Sequence, residues 1–258
     1  MTETVDTMVT RAEVCAVACA EAWRGDGEIM ASPFGSIPSI GARLARLTFA
    51  PDLVLTDGEA ALMVNTPAIS ARRPELVLEA WMPYRKVFEV VWSGRRHVMM
   101  QATQVDRFGN QNISCIGDWA HPRTQLIGVR GAPGNTVNHT TSYWVPNHGT
   151  RSFVEAVDMV CGVGYDRAAA AGPAASRFHE IRRVVTNLAV LDFETPDHAM
   201  RLRSVHPGVT VEEVVEATGF ELVLPAEVRV SRLPTAEELE IIREVLDPRG
   251  LRDKEVPA

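Results

Sequence analysis

Two glycine turns stand close together between Val105 and His139, in VDRFGNQNISCIGDWAHPRTQLIGVRGAPGNTVNH, and this stretch constrains the chain more than any other. The apolar run Leu126 to Val129 ends in Arg130-Gly131-Ala132-Pro133-Gly134-Asn135. A strand that runs into a Gly/Pro turn lets the backbone come close to a ligand, so the loop is the expected site. Upstream, Val105 to Asn110 reads as a tight turn at a strand end. Asp106 and Asn110 can bond local backbone there, and Gly109 can take positive φ.

The surrounding pattern alternates helices and strands. Thr10-Arg11-Ala12-Glu13 has capping-box spacing and opens a helix that reaches Trp23. Glu28 to Ala31 reads as a strand, Pro33 to Pro38 as a turn and Ser39 to Thr48 as a helix. Strand, glycine turn and helix N-terminus in that order form an anion site, because unpaired amides and the helix dipole converge. A short buried strand, Leu53 to Leu55, then runs into Thr56-Asp57-Gly58-Glu59. A carboxylate at the end of such a strand can serve as nucleophile or base, or simply belong to a solvated turn.

Residues 66 to 86 read as a long excursion with one helical turn around Glu75 to Trp81, and Arg95-Arg96 as a solvated edge before the strand Val98 to Met100. Ser142 to Val145 and Phe153 to Val163 are strand or mixed segments, and Ala168 to Ala175 a loop. Arg183 to Asp192 is the strongest strand of the second half, with Met200 to Val205 as its hairpin partner. Capping boxes at Thr210 and Thr235 open two further helices, which end at Gly219 and Asp247-Pro248. These elements predict one α/β domain over residues 1–258, with no internal repeat.

Composition removes several function classes. A net charge of −7 argues against nucleic-acid and anionic-membrane surfaces. No apolar run is long enough to span a bilayer and residues 1 to 10 lack the basic start of a signal peptide, so a cytoplasmic protein is expected. Cys15, Cys19, Cys115 and Cys161 show neither CxxC pairing nor metal-ligand spacing, so no metal site is expected, and Cys15 and Cys19 read as small buried hydrophobes. His121 and His139 lie near the expected site, where structural hydrogen bonds account for them better than proton transfer.

The chain resembles the beta subunits of the class I coenzyme A transferases. The matching segments are Phe49 to Asp52, Gln104 to Asn112, Ile116 to Asp118, His121 to Thr124, Gly131 to Asn135, and His206 to Thr210 through Ala217 to Phe220. The resemblance implies an open, mostly parallel α/β sheet with flanking helices, a homologous alpha subunit and a site between the two. Transferases of the family place a nucleophilic glutamate just after the strand matching Leu53 to Leu55, where this chain has Thr56-Asp57-Gly58-Glu59.

Further segments, Thr56 to Ala60, Trp81 to Pro83, Gly94 to Val98, Gly128 to Gly131, Pro133 to Thr136 and Thr141 to Val145, are similar to the beta subunits of actinobacterial steroid ring-opening hydrolases. These are transferase homologues that have lost the nucleophilic glutamate. The similarity implies retro-Claisen-type cleavage of a cyclic 6-oxocyclohex-1-ene-1-carboxyl-CoA in an α2β2 assembly, with the base on the alpha subunit and no cofactor beyond the CoA of the substrate. Arg130 would then stabilise the enolate or bind a substrate carboxylate. Gly131, Ala132, Gly134 and Asn135 would line the thioester, with Gly35, Ser36 and Ile37 bordering the pocket. The alternatives are a transferase acting through an acyl-enzyme at Asp57 or Glu59, and a non-catalytic acyl-CoA-binding subunit.

Overall fold

The computed structural model describes residues 8–57, 61–69, 71, 75–129 and 131–257. Helix α1, Arg11–Glu21, starts at the predicted capping box, with Thr10 and Glu13 each bonding the other's backbone amide. Helix α2 spans Ser36–Leu47, three residues earlier than the sequence predicts. Pro38 had placed Pro33 to Pro38 in a turn, but proline is tolerated in a first helical turn, where its missing N–H has no intrahelical acceptor. A side chain on Gly41 of α2 would put its Cβ 2.7 Å from Cys19 Cβ and 2.9 Å from Ala20 N of α1. The two helices therefore meet along small residues. Cys15 and Cys19 are fully buried there as expected, and burial pushes the Cys15 thiol up to about 12.

Seven strands form the main sheet, in the order Met30–Pro33, Arg96–Gln101, Thr140–Val145, Glu180–Thr186, Ala189–Asp192, Arg201–Val205 and Arg229–Val230. The first four are mutually parallel, the next two run antiparallel, and the last is parallel to its neighbour. Alternate residues feed two cores. Met99, Trp144 and Val185 pack on one face with α1 and α2, while Val98, Met100, Tyr143, Val145 and Val184 pack on the other. A sheet buried on both faces gives near-continuous apolar strands rather than alternating ones.

Several expectations change. The run Arg183 to Asp192 is not one strand but a hairpin that turns at Asn187-Leu188, where the Thr186 hydroxyl accepts from the amides of Leu188 and Ala189. The expected helical turn around Glu75 to Trp81 is instead the strand Leu78–Trp81, third member of a small antiparallel sheet with Leu55–Thr56 and Ala61–Met63. Helix α3, Arg85–Ser93, follows it. Leu126 to Val129 forms no strand, because its neighbours Thr124–Gln125 pair in a two-residue ladder with Cys115–Ile116 that ends there. The Gly/Pro loop after it becomes helix α4, Ala132–Asn138. Ala168 to Ala175 holds parts of two short helices, Tyr165–Ala170 and Pro173–Ser176.

Buried histidines tie the sheet together. Burial pushes His139 and His206 down to about 4 and His148 to about 3. Each stays neutral in the fold while the unfolded chain takes up a proton near pH 6.5, so the unfolded state binds more protons below that pH. Stability is therefore complete above about pH 6.5 and is lost as pH falls toward 4, by roughly 1 kcal/mol per pH unit from each histidine. Urea unfolding at pH 7 and pH 5 is expected to show a marked drop in midpoint, reduced when His148→Gln removes one titrating group.

Candidate functional site

Two of the turns read from the sequence, the one before α2 and the Gly/Pro turn that opens α4, lie toward one edge of the sheet. Phe34 N–H donates to Met99 O (2.9 Å), which lays the turn before α2 along the strand Arg96–Gln101. Gly35, at φ 115°, caps α2. A side chain there would put its Cβ 2.8 Å from Glu255 Oε1 and 3.0 Å from Gln101 Nε2. Near α4, the carboxamide of Gln111 donates to Gln101 O (2.8 Å), and a Cβ on Gly162 would lie 3.4 Å from Gln111 Oε1 and 3.6 Å from Ala132 O. Gln101, the last residue of its strand, thus stands between the two turns.

The anion site expected at the start of α2 is filled by the chain itself. Glu255 Oε2 accepts from Ile37 N–H (2.9 Å), and its Oε1 accepts from the Trp144 indole (2.7 Å) and Gln101 Nε2 (3.2 Å). Unpaired amides at a helix start favour a carboxylate, and the C-terminal helix Arg252–Glu255 supplies one. Gly35, Ser36, Gln101, Leu251, Lys254 and Glu255 line a surface cavity of about 300 Å³ beside it. Nothing local in the sequence marked Glu255 or Gln101.

Of the residues expected to line the thioester, Gly131 is exposed and Gly134 half-buried, with the Val91 side chain 3.2 Å from where its Cβ would stand. Ala132 and Asn135 are buried. Asn135 Oδ1 accepts from Arg96 Nη1 (2.7 Å), its Nδ2 lies 3.2 Å from Met100 Sδ, and His139 Nε2 is 3.2 Å from Oδ1. Both ends of the amide are thus spent inside the protein. Arg96 is not the solvated edge that the sequence suggested, since it is only 6% exposed. Its Nε also donates to Ser32 Oγ (2.9 Å), no carboxylate pairs with it among the described residues, and burial pushes its guanidinium down to about 10. His139 serves a structural bond, donating Nδ1–H to Thr140 O (2.9 Å).

Asp57 closes a hairpin. Its N–H donates to Ala61 O (3.1 Å), and its Oδ1 accepts from Ala61 N–H (3.0 Å). The strand that leads to it joins the small antiparallel sheet and touches the main sheet through the bridge Met30–Val54. Glu59 and Arg130, with Gly58, lie outside the described residues. Asp106 forms the predicted turn, accepting from the amides of Phe108 (3.1 Å) and Asn110 (3.0 Å), with Gly109 at φ 85°.

One cluster has the connectivity of a hydrolytic triad. His97 lies 2.7 Å from Asp26 through Nδ1 and 2.9 Å from Ser142 Oγ through Nε2. His97 and Ser142 are completely buried in the sheet, so no substrate reaches the hydroxyl. Burial lowers the His97 pKa despite Asp26. The cluster is a satisfied core network, with Arg182 on the other oxygen of Asp26.

The fold and this carboxyl-edge arrangement define a coenzyme A transferase-type subunit. The family model described as Coenzyme A transferase matches residues 20–217, and the chain belongs to that family. It is 58% identical over 256 residues to the cholesterol ring-cleaving hydrolase IpdB subunit of Rhodococcus jostii, covering 99% of both chains. It is 57% identical to the subunit of that name from Mycobacterium tuberculosis, over 96% of this chain and 99% of the relative. A crystal structure of Rhodococcus jostii IpdAB superposes with a TM-score of 0.92 at 58% identity, covering 98% of this chain and 100% of the other.

Asn135→Leu is expected to leave the buried Arg96 charge short of an acceptor. A lost bond to a buried charge costs about 1.5–3 kcal/mol. Chemical unfolding of the variant should show a loss of that size, and Asn135→Asp, which keeps an acceptor, a smaller one.

Proposed function

We propose that this chain is the beta subunit of a heteromeric enzyme that opens the last steroid ring by hydrolytic carbon-carbon cleavage of a cyclic 6-oxocyclohex-1-ene-1-carboxyl-CoA. Identity of 58% along nearly the whole length to a cholesterol ring-cleaving hydrolase subunit carries the reading. In the cleavage step, water oxygen bonds to the ring carbonyl carbon and the bond from that carbon to the thioester α-carbon breaks. Its electron pair passes to the thioester as an enolate. One water proton ends on the α-carbon, and the other leaves the new carboxylic acid. No oxidant, reductant or further cofactor enters the balance, since CoA is carried by the substrate.

The chain's carboxylates support a positioning role. Asp57 is engaged by the Ala61 amide and Glu255 by three donors, so neither resembles a nucleophile held ready for acylation. The base is assigned to the alpha subunit of an α2β2 assembly, as the likeness to the ring-cleaving hydrolase subunits suggests. Exposed aromatic groups support a partner-covered surface. Trp81, Tyr84 and Trp92 are 77%, 71% and 72% exposed on the strand Leu78–Trp81 and around α3, and large exposed apolar patches mark interfaces. No described helix is long and apolar enough to cross a membrane, and a cytoplasmic enzyme fits this reading. Arg130 is assigned to the developing enolate or a substrate carboxylate, with Gly131 and Gly134 beside the thioester and Gly35 and Ser36 at the pocket rim. Ile37, expected there too, is fully buried and only its N–H takes part, donating to Glu255.

The two-subunit complex, incubated with the cyclic thioester in oxygen-18 water, is expected to give a ring-opened acyl-CoA labelled in its new carboxylate, with no protein adduct by intact mass. A covalent acyl group on Asp57 or Glu59, with CoA passed to an added acid, would establish a transferase instead. Arg130→Ala in the same complex is expected to lower kcat by about a hundred to a thousandfold, the usual loss for one fixed group at a developing charge. Undiminished turnover would remove Arg130 from the site.

A further inference from the structure

We propose that the Gln101 side chain binds the reacting water, with Glu255 as the positioning residue that orients it. The inference rests on the hydrolytic reading above. Gln101 ends the second strand of the parallel sheet at the carboxyl edge, where open α/β sheets hold their ligands. It is exposed, whereas the five residues before it in the strand are buried.

The amide is not free to turn. Its Nε2 donates to Glu255 Oε1 (3.2 Å), and a flip would set the amide oxygen against the carboxylate. Glu255 is fixed in its turn by Ile37 N–H and the Trp144 indole. The short helix that carries it is anchored by buried Arg252, which donates to Asp247 Oδ2 (3.1 Å) and Glu13 Oε1 (3.3 Å). On the main chain, Gln101 O accepts from Gln111 Nε2. One group is left over. Gln101 Oε1 receives no donor from the described residues, on a residue lining the cavity beside Gly35, Ser36 and Lys254. An acceptor of set orientation takes one hydrogen of a water and leaves an oxygen lone pair for the ring carbonyl. This is positioning of a nucleophile, where an error of about 1 Å costs roughly a hundredfold.

The test uses the two-subunit complex with its cyclic thioester. Gln101→Met keeps the shape and removes the amide. It is expected to lower kcat by about a hundredfold, with KM and melting temperature nearly unchanged. Glu255→Gln lets the Gln101 amide adopt either orientation and is expected to lower kcat by less, again without a change in KM. Full kcat in Gln101→Met, while the wild type still incorporates oxygen-18, would overturn the assignment of Gln101 alone. Absence of oxygen-18 from the wild-type product would overturn the hydrolytic reading and this inference with it. A raised KM at unchanged kcat would mean that Oε1 holds a group of the thioester rather than water. A lowered melting temperature with full kcat would mean a structural contact only. Either result overturns the proposal.

Discussion

A strand covered on both faces can carry polar side chains only where each finds a partner, and the strand Arg96–Gln101 carries two such groups, Arg96 and His97, ahead of the exposed Gln101 at its end. Arg96 is bonded to Ser32 and Asn135, His97 to Asp26 and Ser142, and Gln101 to Glu255 and, through its carbonyl, to Gln111. These bonds reach the two neighbouring strands, α4, the loop after α1 and the C-terminal helix. A core of Val98, Met99 and Met100 alone would hold the strand in place without fixing the elements around it. Polar satisfaction does that, because a donor with one available acceptor permits one arrangement.

The same requirement shapes the carboxyl edge. A helix that starts at a glycine turn offers unpaired amides, and here an internal carboxylate takes one of them. The chain therefore spends Glu255 on architecture, as it spends Asp57 on a hairpin. Such groups are held, hydrogen-bonded anions, well suited to orienting neighbours and poorly suited to bond making. A family whose relatives include transferases and a ring-cleaving hydrolase can thus keep its sheet and turns while the chemistry changes around them.

Much of this molecule was legible from local pattern. The three capping boxes open helices where Thr10, Thr210 and Thr235 predict them, because a capping box needs only residues three apart. The Asp106 turn and the hairpin partner Arg201–Val205 are equally local. The misread elements are those whose form depends on distant contacts. Leu78–Trp81 is extended because Ala61–Met63 pairs with it, and Ala132–Asn138 is helical although its Gly and Pro residues read as a loop. Arg96 looked like a surface charge because no sequence rule shows that Asn135 and Ser32 will meet it inside the protein.

The sequence by itself determined the alternation of capped helices and apolar strands, the buried cysteine face, the tight turn at Asp106 to Asn110 and the family to which they belong. The tertiary structure decided which carboxylate reaches the start of α2, which cation is buried and which amide stands at the edge of the sheet. The physical reason is range. Helix caps and turns are written in neighbouring residues, whereas Glu255 meets Ile37 across 218 positions, and only the closed chain brings them within a hydrogen bond.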